Sequence, residues 1–159
     1  DKSIDFSRYK SFAFVQPLAT DQAGYETLIT LQIKRAVQGQ LEARGYAYNE
    51  KAPDLLINFN AKAEDKTIIT QMPAPPIEHY YHYRGMLYSR WGLYGYETMV
   101  DQYKEGTLNI DIVDATRKQL VWEGVVIGRV TQKAIKEREA RINAAVKDIF
   151  EKYPFRAGQ

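Results

Sequence analysis

The 159 residues are 45 % hydrophobic and 26 % charged, the balance of a folded domain and not of a disordered tail. A chain of this length buries about 70 % of its unfolded surface. Its 22 basic and 20 acidic residues are scattered, and a net charge of +2 without a basic stripe argues against nucleic-acid binding. Cysteine is absent, which removes disulfides, thiolate nucleophiles, iron–sulfur clusters and cysteine zinc sites together.

No apolar run approaches the roughly 20 residues of a membrane helix. A start at Asp1 without methionine leads us to expect a processed N-terminus, with any signal or lipid-attachment site upstream. The whole chain, 1–159, reads as a single domain.

Residues 10–16 form the first expected strand, with Phe12 and Phe14 on one face, and Pro17 stops it. Asp21 is the expected N-cap of a helix over about 25–44, whose stripe is Ile29, Ile33, Ala36, Val37 and Leu41. Gly45 stands where a left-handed residue ends a helix, and Arg44 suits the negative end of the dipole. A short strand at 46–49 precedes a turn and a core strand from Leu55 towards Thr70, with Leu55, Ile57 and Phe59 on one face.

Residues 71–97 differ in character. The run Met72-Pro-Ala-Pro-Pro cannot continue a central strand, and the segment after it holds half of the 12 tyrosines and one of the 2 tryptophans. It reads as a long loop or hairpin extension, a kind of connection that is usually functional or mobile.

The clearest signal follows at 105–130. Leu108, Ile110 and Ile112 alternate with polar residues, Asp114-Ala-Thr-Arg-Lys supplies a turn, and a second strand resumes at Gln119. A last helix begins at Thr131 or Gln132. Its face is Ile135, Ile142, Val146, Ile149 and Tyr153, and Pro154 ends it. The expected architecture is α+β: a mainly antiparallel sheet of about five strands with two amphipathic helices on one face.

The opening DFSRYKSFAF, the segment PDLLINFNAKA, the stretch EGTLNIDIVDATRKQLVWEGVV and the closing YPF together resemble the bacterial family called domain of unknown function 4136. The resemblance spans nearly the whole chain apart from the aromatic segment. It implies a compact α+β domain, export, and an N-terminal lipid anchor on the periplasmic side of the cell envelope, where family members are lipoproteins. It carries over no catalytic or binding residue.

Three sets of residues are candidates. Tyr80, Tyr81, Tyr83, Tyr88, Trp91, Tyr94 and Tyr96, with Arg84 and Arg90, have the composition of a binding surface, because such side chains bury area at modest entropic cost. The competing reading is a lid over the open sheet face or an edge. His79 and His82, beside Glu78, have the spacing of a weak metal pair, but further ligands are missing and no metal or other cofactor is expected.

Asp111, Asp114, Glu105 and Glu123 could supply paired carboxylates, although Asp114 is equally a turn residue. Trp122 is expected beneath a helix. No phosphate loop or nucleophile elbow is present in the sequence.

The expected function is a non-enzymatic envelope domain that binds a protein or cell-wall partner, or a second copy of itself, through the aromatic segment. The alternatives are a small-ligand or metal-assisted enzyme near His79 and His82, and a passive structural lipoprotein.

Overall fold

The computed structural model describes residues 4–18, 20–21, 26–73, 81–83, 86–88 and 96–155. It divides into two units, Asp1–Glu64 with Lys104–Gln159, and Asp65–Tyr103.

The first unit is built on a five-stranded sheet in the order β2-β1-β3-β6-β7, where β1 is Ser11–Phe14, β2 Ala47–Tyr48, β3 Leu55–Pro73, β6 Tyr96–Asp114 and β7 Gln119–Arg129. The sheet is mixed. β1 runs parallel to both β2 and β3, with Phe12 level with Tyr48 and Leu55, while β6 and β7 form a long antiparallel ladder. Parallel neighbours need a crossover. Helix α1 (Leu28–Glu42) supplies it between β1 and β2.

Side-chain alternation places Phe12, Phe14, Leu55, Ile57, Phe59, Leu108, Ile110 and Ile112 on one face of the sheet, all buried. Helix α1 contributes Ile33, Val37 and Leu41 to the same core, and helix α3 (Arg138–Phe150) contributes Val146, Ile149 and Phe150. The two helices pack against each other, and α3 also packs on β7. Trp122 lies under α3 as expected, its ring 5.7 Å from Phe150 and 5.1 Å from Tyr153.

Three local expectations are corrected. Thr27, not Asp21, caps α1 by accepting from the Thr30 amide; Asp21 instead accepts from the Leu18 amide. An N-cap hydroxyl accepts from the amide three residues on, a donor with no partner inside the helix, which is worth about 1 kcal/mol. The buried stripe of α1 uses Thr30 where Ile29 was expected, and Ile29 is exposed. Thr30 tolerates burial because its hydroxyl bonds Thr20 at 2.6 Å and Thr27 at 3.0 Å.

The last helix is also broken. Thr131 caps a short α2 (Gln132–Lys136), Glu137 leaves helical geometry at φ −102° and ψ 32°, and α3 begins at Arg138. That break takes Ile135 off the buried stripe and leaves it exposed.

Gly45 has φ 89°, the left-handed helix end its position implied. Arg44 does more than face a dipole. It is buried, and its guanidinium donates to the Gln40 carbonyl at 2.9 Å and the Phe150 carbonyl at 2.8 Å, tying the end of α1 to the end of α3.

The second unit contains the remainder of β3, the start of β6, and an antiparallel pair of three-residue strands, β4 (Tyr81–Tyr83) and β5 (Met86–Tyr88). Their register sets Tyr81 against Tyr88, His82 against Leu87 and Tyr83 against Met86.

Candidate functional site

The second unit carries the strongest candidate for an interaction surface. Its described stretches of β3 and β6 place large apolar side chains in solvent: Ile69 is 65 % exposed, Met99 58 % and Val100 57 %, with Ile68 and Met72 also exposed. Ile68 and Ile69 are consecutive in a strand, as are Met99 and Val100, so both faces of each strand carry one. A strand of the first unit shows the opposite pattern, in which Leu55, Ile57 and Phe59 are buried and the intervening residues are not. Several large apolar side chains exposed in one unit call for an explanation that a single one would not.

These residues were missed in the sequence because an alternating strand pattern was read only for its buried face. Ile68-Ile69 and Met99-Val100 are adjacent apolar pairs, and that was the available signal.

Of the aromatic candidates, Tyr81, Tyr83, Tyr88 and Tyr96 fall in strands, and His82 stands in β4. Tyr80, Arg84, Arg90, Trp91, Tyr94, His79 and Glu78 lie outside the described residues, as does most of the 71–97 segment between its strands. Among the described residues no group of three or more His, Asp or Glu side chains could hold a metal ion.

The carboxylates separate into two roles. Asp114 is 4 % exposed and fully engaged. Its Oδ1 accepts from the Thr116 and Arg117 amides at 2.9 and 2.8 Å, and its Oδ2 from the Tyr9 hydroxyl at 3.0 Å and the Arg8 guanidinium at 3.2 Å. The Arg117 amide above all, helped by Tyr9 and Thr116, holds this carboxyl below its ordinary range. Asp114 therefore closes the β6–β7 turn and anchors the N-terminal segment. It offers no free oxygen to a substrate.

Asp111 and Glu123 are directly opposite one another across the β6–β7 ladder. Burial first, and then the Glu123 charge, push the Asp111 carboxyl above its ordinary range, while a hydrogen bond with Asn58 opposes them. Two acids side by side on an open sheet face could share a proton.

A recess of about 270 Å³ between α1 and α3 is lined by Gln40, Ala43, Arg44, Lys147 and Glu151. Buried tyrosines serve structure: the Tyr46 and Tyr153 hydroxyls meet at 3.0 Å, and burial raises both above the ordinary tyrosine range.

The architecture defines a class: an α+β domain in which two helices cover one face of a mixed five-stranded sheet. More specifically, the chain belongs to the family described as Domain of unknown function (DUF4136), which matches residues 1–155.

Among solved structures, a PDZ domain protein from Parabacteroides distasonis is similar with a TM-score of 0.56 at 15 % identity, over 95 % of this chain and 33 % of that one. This chain thus spans about a third of that protein, and the likeness concerns fold alone. A structure described as a neuraminyllactose-binding hemagglutinin homolog from Helicobacter pylori gives a TM-score of 0.48 at 10 % identity, covering 92 % of this chain and 83 % of that one. No curated protein matches.

Proposed function

We propose that this is a non-catalytic binding domain of the bacterial envelope, displayed on the periplasmic side from a lipid anchor upstream of Asp1, whose second unit takes hold of a protein partner. The observation that carries this reading is the set of exposed Ile68, Ile69, Met72, Met99 and Val100 in the same unit as the tyrosine-rich segment. Aliphatic and aromatic side chains together match the buried centre of a protein interface, where burying apolar area drives association. A glycan partner would be served by aromatic faces alone. The exposed isoleucines and valine have no role in stacking on a sugar.

The test uses a photo-crosslinking residue placed at Ile69 or Val100 in the intact protein in its own envelope, with Lys147 on α3 as the comparison site. Discrete protein adducts are expected from positions 69 and 100 and none from 147. The double variant Ile69→Ser/Val100→Ser should unfold at the same temperature as the parent and lose the adducts formed through the remaining apolar positions. Equal adducts from all three sites, or none from any, overturn the proposal. Co-sedimentation with purified cell-wall sacculi in place of protein adducts would assign the surface to glycan.

A further inference from the structure

The two edges of the sheet are unlike. The β2 edge is a two-residue strand, too short to template another chain, whereas the β7 edge runs for 11 residues without a proline or a lysine. Long edges recruit further strands unless a proline, a lysine or a covering element blunts them. The direction of the free backbone groups follows from the ladder. The Val130 amide donates to the Lys104 carbonyl at 2.7 Å, so residues 130, 128, 126, 124 and 122 turn their amides and carbonyls towards β6. Glu123, Val125 and Ile127 therefore turn theirs outwards, and their side chains lie on the face that the helices leave open. Val125 is 43 % exposed and Ile127 61 % exposed.

This edge is complementary to itself. Antiparallel pairing about a two-fold axis at Val126 sets Val125 against Ile127 and Glu123 against Arg129 of the second copy, with Gly124 against Gly128. The Val125–Ile127 and Glu123–Arg129 pairs are the hydrogen-bonded ones, as the outward backbone groups require. Glu123 already stands beside Asp111, a like-charge pairing that is unfavourable on a sheet, and a guanidinium across the edge relieves it. Five donors let Arg129 keep the contacts it makes within its own chain while meeting that carboxylate.

We propose that two copies of this chain associate through β7, joining their sheets edge to edge in this register. The surface is distinct from the apolar residues of the second unit.

Sedimentation of the whole chain, followed to about 100 μM, reads the result. Ile127→Pro removes an outward amide and no ladder bond to β6, so it should weaken dimerisation at least about tenfold while the unfolding temperature is kept. Glu123→Arg should weaken it as well, and the double exchange Glu123→Arg/Arg129→Glu should restore it. Because the chain has no cysteine, Val126→Cys reports the axis: it should form an intermolecular disulfide on oxidation, whereas Gly128→Cys, which faces position 124, should not. A wild-type monomer throughout overturns the proposal. So does a dimer that survives Ile127→Pro, or one that is lost on Ile69→Ser/Val100→Ser and so belongs to the other surface.

Discussion

Asp114 shows how much one side chain can hold together. It accepts four hydrogen bonds from two parts of the chain, the N-terminal segment and the β6–β7 turn, while almost fully buried. Removing the acceptor leaves the Tyr9 hydroxyl and two turn amides without it, so Asp114→Ala should cost about 3 kcal/mol in urea unfolding. The pH dependence has a definite sign. The folded carboxyl lies below its ordinary value, so its stabilisation is complete above the unfolded value of about 3.9 and is lost as pH falls through the folded one. Stability of the parent should decline with acid in that window, and the component due to this residue should be absent from the variant. An equally steep acid decline in both would show that Asp114 is not the group responsible.

Asp54, just ahead of β3, works in the same way. It accepts the Lys10 and Ser11 amides at 2.8 and 3.0 Å, and its own carbonyl receives the Ala115 amide at 2.9 Å.

At the scale of the element, the β6–β7 hairpin is specified most tightly where α3 meets it. A Cβ at Gly124 would run into the Trp122 ring and the Ile149 side chain, while one at Gly128 meets nothing within 4 Å. Gly124→Ala should therefore lower stability by about 2 kcal/mol through overpacking, and Gly128→Ala should be nearly neutral in the same thermal-unfolding series. Similar losses at both positions would contradict the packing of α3 on β7.

This hairpin, the strand at Leu55 and both helix stripes were legible because their apolar periods match a one-sided core. Less was legible where tertiary contacts overrode the pattern. Thr30 is buried on α1 because two neighbouring hydroxyls satisfy it, and no periodicity records that. The break at Glu137 and the parallel pairing of β1 likewise depend on what lies beside them in space. The exposed pairs Ile68-Ile69 and Met99-Val100 were written plainly in the sequence. Their exposure in the folded chain is what makes them a candidate surface.

At the scale of the whole molecule the proposed function divides labour between the units, the first supplying the folded platform and the second the proposed binding surface. The core cluster supports the first half of it, since among the described residues every member, from Phe6 to Tyr153, belongs to the first unit. β3 and β6 are neighbours in the sheet, so a two-residue Asn-Gly turn can join Glu64 to Lys104 in place of residues 65–103. The most direct measurement is partner crosslinking and cooperative unfolding of that shortened chain, compared side by side with the parent in the envelope. The account predicts a single unfolding transition close to the parent's and no partner adduct. A shortened chain that still captures the partner, or one that cannot fold, would contradict it.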